Sequence, residues 1–277
     1  MSTDVELIAD LEYADSLELD LYRPTAVEPR ATVLYLHGGG WAVGHRTAFA
    51  EERLVPVARH GVAVVSASYR FTDVTTYPGQ VHDVKGAVRW LRAHASELGI
   101  PGERIGAWGA SAGGYLALML GLTATVAELE GTVGGNADRD SSVQAVCAWF
   151  APADLVSVAT AGPSELPPPP FIEGPPPDPS YPARLVGLRR IEDDIEAAHA
   201  ASPLAFARHA RDASYLLVHG DGDGLVSDAE SRAMHAALVA HGGDSSLVLL
   251  GGANHEGPEF HRPHVLAATA GFFLAAL

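Results

Sequence analysis

A chain of 277 residues with 47% hydrophobic side chains carries enough apolar material for a sizeable core, which excludes a disordered chain. The formal net charge of −16 disfavours nucleic acid and anionic membrane surfaces as partners and favours solubility. Cys147 is the only cysteine, so a disulfide within the chain is excluded and a reducing compartment is tolerable. The N-terminus has no basic head or apolar run of the signal type, and no stretch reads as about 20 uncharged apolar residues. The expectation is a cytoplasmic protein with no membrane span.

In chain order, residues 5–21 alternate with period two through Val5, Leu7, Ala9, Leu11 and Tyr13, then Leu17, Leu19 and Leu21. The break at 14–16 predicts an antiparallel hairpin with one wet face. The runs TVLYLHG (32–38), VAVVSASYR (62–70), RIGAWG (104–109), VQAVCAWF (143–150), SYLLVHG (214–220) and SLVLLGG (246–252) are apolar at nearly every position. Strands covered on both faces read this way, and they belong to parallel sheets flanked by helices. Between them, Val81, Val84, Val88, Leu91, Ala95 and Leu98 mark one face of a helix. Ser227 and Glu230 have the spacing of a capping box ahead of a helix through Met234 and Leu238, and Pro263 suits the first turn of a last helix. This alternation predicts one α/β domain over 1–277, a mostly parallel doubly wound sheet with an N-terminal hairpin.

Residues 155–213 are too long for a simple strand-to-strand connection, and ten of the 19 prolines fall between Pro163 and Pro182. Proline excludes helix interior and central strand there, so the segment is an irregular excursion. It leaves the carboxyl end of a strand, where open α/β sheets place ligands, and is expected to form a cap or line a mouth rather than lie free on the surface.

The segment RIGAWGASAGGYLALMLG (104–121) frames one serine, Ser111, in a G-x-S-x-G pattern between a strand-like and a helix-like run. A turn this sharp strains the serine and exposes its hydroxyl above the sheet edge, while the new helix directs the Ala112 N–H toward an oxyanion. The alternative is a serine that merely caps the helix. A serine nucleophile needs a base and an orienting acid, in the chain order Ser, Asp or Glu, His. Among 13 histidines, His255 lies in a Gly-rich loop after the last apolar strand, with His261 and His264 as fallback bases. His219 ends a strand and is expected to hold its loop. In HGDGDGLV (219–226), Asp223 is preferred as the acid because it lies further out, and Asp221, nearer the strand, competes as a turn aspartate. After the first buried strand comes HGGGW (37–41), whose glycines allow close approach of the main chain and a second set of oxyanion donors. His37 is expected to brace that turn. Dinucleotide and P-loop glycine patterns are absent at this junction, as is any H-E-x-x-H helix or Cys/His cluster, so neither a metal nor an organic cofactor is expected.

HGGGWAVGHR, SYRF, RIGAWGASAGG, HGDGDGLV and GGANHEG together resemble the α/β-hydrolase superfamily. They are most similar to its esterase/lipase branch with the HGGGW loop, which includes hormone-sensitive-lipase-like and feruloyl or acetyl esterase-like enzymes. The resemblance covers roughly residues 30–277. It implies Ser111 as nucleophile, Asp223 as acid, His255 as base, and the N–H groups of Gly39, Gly40 and Ala112 as oxyanion hole. The proline-rich excursion matches no pattern of that branch. Trp41, Tyr115, Phe171 and Leu225 are expected at the mouth. The implied activity is a serine carboxylesterase on small, soluble, short-chain esters, since no extended apolar lid helix is visible. An arylformamidase-like amide hydrolase and a ligand-binding protein without turnover are the alternatives. The partner is a small-molecule ester; the oligomeric state is open, a homodimer included.

Overall fold

The computed structural model describes residues 4–161 and 178–277. Its strands are β1 (Val5–Ala14), β2 (Leu17–Pro24), β3 (Ala31–Leu36), β4 (Val62–Ala67), β5 (Ile105–Ala110), β6 (Ala145–Trp149), β7 (Ser214–Gly220) and β8 (Asp244–Leu250). They form one sheet in the order β1-β2-β4-β3-β5-β6-β7-β8. The β1–β2 and β2–β4 pairs are antiparallel; from β4 to β8 every pair is parallel. The helices are α1 (Val55–Ala58), α2 (Gly79–Leu98), α3 (Ala112–Leu122), α4 (Leu155–Thr160), α5 (Tyr181–Leu185), α6 (Ile195–Ala200), α7 (Ala229–Ala240) and α8 (Pro263–Ala276).

Helices cover both faces. One core layer packs Val84 and Leu91 of α2, Leu116 and Met119 of α3, and Met234 and Leu238 of α7 against the sheet. The other packs Val57 of α1 and Leu266 and Phe273 of α8 against Val33, Val64 and Trp108. This is the doubly wound architecture that the near-continuous apolar strands predict, and it is the α/β-hydrolase fold. Because β3, β5, β7 and β8 run parallel, the loops that follow them all emerge at one edge of the sheet.

The structure departs from the sequence pattern at three places. In β1 the period of two is lost: the register shifts between Ile8 and Leu11 and again between Glu12 and Ala14, with Asp10 at φ 57°. Leu7 is thereby left exposed, while β2 is covered on both faces, Asp20 being buried against Arg46. The run 246–252 is not doubly buried: β8 is the edge strand, and Val248 is exposed. The capping box does not form. The Glu230 carboxylate, buried, accepts instead from the backbone N–H groups of Ala153 and Asp154 (2.9 and 2.8 Å), and so ties α7 to the start of α4.

The excursion between β6 and β7 contains α4, α5, α6 and a 3₁₀ segment, Pro203–Asp212. It is fastened from several directions. Tyr77 N donates to Leu185 O (2.7 Å), Leu155 N to Ser202 Oγ (2.9 Å), and Tyr115 Oη to Ala201 O (2.7 Å). The densest run of prolines, 163–177, and Phe171 within it lie outside the described residues. Among the described residues, no helix is long and apolar enough to cross a membrane, and no group of His, Cys, Asp and Glu is arranged to hold a metal ion.

Candidate active site

Ser111 is the single residue between β5 and α3, at φ 53° and ψ −119°, a backbone conformation costly for a residue with a Cβ. Its N–H donates to Trp149 O (2.9 Å) and its carbonyl accepts from Tyr115 N (3.0 Å), so the neighbouring strand and the new helix together hold the strain. The flanking glycines are obligatory. A Cβ on Gly109 would lie 2.0 Å from Gly113 O, and one on Gly113 would lie 1.9 Å from Leu36 O. The serine side chain makes no capping bond to α3. Its hydroxyl instead donates to His255 Nε2, 2.9 Å away, which sets aside the capping alternative.

His255 follows β8 and is buried, with its ring edge against Phe150 (4.6 Å between centroids). Its Nδ1–H donates to Asp223 Oδ2 at 2.7 Å. Asn254 joins the two loops: its Oδ1 accepts from His255 N (2.7 Å) and from Gly224 N (3.0 Å). Asp223 is also buried, and its Oδ1 accepts from the N–H groups of Leu225 and Val226, both at 2.8 Å. Burial alone would raise its carboxyl pKa. The bonds and charges of His219 and His255 outweigh burial and hold it well below the usual carboxylate range. Asp221 does not reach the histidine; its carboxylate accepts from Gly252 N (2.5 Å) and closes the turn. Of the fallback bases, His261 is turned toward Arg53 (2.9 Å), and His264 is exposed on the first turn of α8.

The 37–41 loop lies against the serine: a Cβ on Gly38 would sit 3.3 Å from Ser111 Cβ. Gly39 and Gly40 have φ of 116° and 60°, which glycine adopts without steric cost. Trp41 Nε1 donates to Ala112 O (3.1 Å), linking this loop directly to the first residue of α3. His37 braces the loop from beneath. Its Nδ1–H donates to Gly38 O (2.7 Å), and its ring stacks on Tyr69 (4.6 Å), whose hydroxyl donates to His37 O (2.9 Å). Burial pushes its pKa down to about 4.

The BD-FAE family profile matches residues 19–238, most of the chain. The chain belongs to the BD-FAE family. It is 29% identical over 254 residues to Esterase LipQ of Mycobacterium tuberculosis, an alignment covering 91% of this chain and 55% of the relative. It is 36% identical over 108 residues to an ethyl acetate hydrolase of Pseudomonas putida, covering 38% of this chain and 34% of that protein. The chain spans about half the length of the first curated relatives it matches. A solved structure described as a truncated form of carbohydrate esterase from gut microbiota superposes with a TM-score of 0.87 at 24% identity, covering 100% of this chain and 98% of that one. That likeness is one of fold.

In this BD-FAE chain, two of the side chains expected at the mouth are buried beneath it. Trp41 and Tyr115 are 1% and 0% exposed, packed edge to face at 5.1 Å, with their polar atoms bonded internally to Ala112 O and Ala201 O. Leu225 is exposed, two residues beyond Asp223. Two side chains not singled out in the sequence pack against the 37–41 loop. Tyr181, from the excursion, packs its ring against Gly40, where a Cβ would meet it at 2.5 Å. Glu256, at φ 57°, carries its Oε2 to 3.7 Å from a Cβ built on Gly38, and its Oε1 accepts from the fully buried Arg53. A partial signal for that pair exists in the sequence: Glu256 adjoins His255. Its significance depends on a contact across more than 200 residues, which no local pattern displays.

Proposed function

We propose that this chain is a serine carboxylesterase that hydrolyses small, short-chain carboxylic esters through an acyl-enzyme. Ser111 is the nucleophile, His255 the general base and Asp223 the acid. The observation that carries the reading is the unbroken relay from Ser111 Oγ through His255 Nε2 (2.9 Å) and Nδ1 to Asp223 Oδ2 (2.7 Å), with the serine held in a strained turn. That geometry suits proton removal from the hydroxyl as it attacks.

In the proposed reaction, His255 Nε2 takes the Ser111 proton while Oγ bonds to the ester carbonyl carbon. The carbonyl electron pair moves onto oxygen. That oxyanion accepts from the backbone N–H groups of Gly39, Gly40 and Ala112; the last is the first residue of α3 and so has no acceptor within its own helix. His255 returns the proton to the departing alkoxide as the C–O bond breaks. Water, deprotonated by the same nitrogen, then releases the carboxylic acid and restores Ser111. Asp223 holds the imidazole tautomer and stabilises its charged form.

The small-ester preference is supported by the excursion, whose described α-helices are 5 or 6 residues long, too short for an extended apolar lid. The ethyl acetate hydrolase similarity points the same way. The test is hydrolysis of p-nitrophenyl acetate alongside labelling by a fluorophosphonate. Ser111→Ala and His255→Ala are each expected to lose about 10⁴-fold or more in kcat with the thermal unfolding midpoint little changed, and Ser111→Ala to lose all labelling. Retained turnover in Ser111→Ala overturns the nucleophile. A preference for an N-formyl aromatic amide over the acetate in kcat/KM overturns the ester reading.

A further inference from the structure

Behind Asp223 lies an ionisable group that the reaction above does not use. His219, near the end of β7, is 0% exposed and fully partnered. Its Nε2 lies 2.9 Å from Val226 O and 3.2 Å from Asp223 Oδ2; its Nδ1 lies 2.7 Å from Ser231 Oγ on α7. The Val226 carbonyl can only accept, so Nε2 carries a proton, and the same N–H is shared with the carboxylate. The Ser231 hydroxyl then donates to Nδ1, which fixes the tautomer through its partners. Asp223 Oδ2 therefore accepts from two imidazoles, His255 in front and His219 behind, while Oδ1 accepts from two backbone N–H groups. A carboxylate offers about four lone-pair sites, and here all four are engaged.

We propose that His219 is a positioning residue that clamps the Asp223 carboxylate in the one orientation that aligns His255 with Ser111, and that Ser231 in turn orients His219. This rests on the serine-hydrolase reading. A histidine serving only to fill the end of β7 would need no donor on the oxygen that also receives His255. The clamp also moderates the acid: a donor on Oδ2 withdraws charge from the oxygen that stabilises the His255 imidazolium. Other charged groups around the pair include Asp221 on the same loop, bonded to Gly252 N, Glu256 beside His255, paired with Arg53, and Glu230 on α7, next to Ser231 and bonded to Ala153 N and Asp154 N. The variants below leave all three in place.

The test uses the full chain and p-nitrophenyl acetate, with His219→Leu, which removes the donor, and His219→Gln, whose side-chain amide keeps an N–H near the Nε2 position. His219→Leu is expected to lose about 10- to 100-fold in kcat, the scale found when the outer partner of a functional histidine is removed, with KM within about twofold. The acid limb of kcat/KM against pH is expected to move upward, because a less moderated Asp223 holds the imidazolium more strongly. His219→Gln is expected to recover most of kcat and return the limb toward the wild-type position. If His219→Leu does not fold, Ser231→Ala takes its place, with a smaller loss and a limb shift in the same direction. Wild-type kcat and an unmoved limb in the folded variant overturn the clamp, as does a loss that His219→Gln fails to relieve. A wild type that neither turns over ester nor labels at Ser111 overturns the hydrolase reading and the clamp together. A wild type that labels, beside a His219→Leu equal to it, overturns the clamp alone.

Discussion

At the scale of single residues, the proposed acid is decided by two aspartates two positions apart. Asp223 is buried and bonded to His255 Nδ1, whereas Asp221 is exposed and bonded to a turn amide. Asp223→Asn is expected to lower kcat on p-nitrophenyl acetate by about 10²- to 10⁴-fold, since the amide cannot stabilise the imidazolium and favours the wrong tautomer. Asp221→Asn is expected to stay within about threefold, as for a surface substitution away from the relay. The reversed order would move the acid to Asp221. The preference for Asp223 was legible because reach from a strand end grows with distance along the loop. What surrounds it was not. His219 reads locally as the last apolar-flanked residue of a strand, and its bond to Ser231 depends on where α7 docks. Trp41 and Tyr115, expected at the mouth, are instead buried. Local sequence does not reveal that one indole N–H and one phenol would find backbone carbonyls beneath it.

At the scale of elements, the parallel strands were legible because each is apolar at almost every position, as a sheet covered on both faces requires. The edge position of β8 was not, since a run of Leu and Val carries no mark of whether a further strand lies beside it. The capping box failed for a similar reason: Glu230 is drawn to the two backbone N–H groups of Ala153 and Asp154, just ahead of α4, rather than to its own helix start. The histidine loop is fastened by another long-range contact. Arg53, on the turn Ala50–Leu54, is fully buried, bonds Glu256 and donates to Tyr35 Oη at 2.5 Å. Its guanidinium also lies 4.9 Å from the centroid of the Trp149 ring. Removing one partner of such a pair leaves an uncompensated charge beside the site. Arg53→Met is therefore expected to cost about 3–5 kcal/mol in urea unfolding, and the double variant Arg53→Met/Glu256→Gln less than Arg53→Met alone. Additive losses would show that the two side chains act independently and that Arg53 matters for packing only.

At the scale of the whole molecule, stability and pH are linked through the groups that folding buries. The net charge of −16 is spread over a surface where repulsion is screened within about 8 Å at physiological salt. Neutralising surface carboxylates on acidification relieves that repulsion, which on its own would stabilise the fold. His37 acts in the opposite sense and through a buried site. Desolvation lowers its pKa from 6.5 to about 4 in the folded protein, so between those values the unfolded chain binds the proton and the folded one does not. Its contribution is complete above about pH 6.5, is lost as pH falls toward about 4, and changes no further below that; the difference amounts to about 3 kcal/mol. Being 2% exposed, the ring has almost no solvent to soften the effect. The same acid window precedes the loss from Asp223, whose depressed carboxyl gives up its stabilisation only below the ordinary aspartate range. Urea unfolding at pH 8, 6, 5, 4 and 3 is expected to show a falling midpoint from pH 6 downward at constant salt. His37→Gln, which cannot titrate, is expected to flatten that fall by most of the 3 kcal/mol while keeping the later decline. Parallel curves for the two proteins would show that the histidine beneath the glycine loop takes up its proton in the folded state, and that the acid sensitivity lies in the carboxylates.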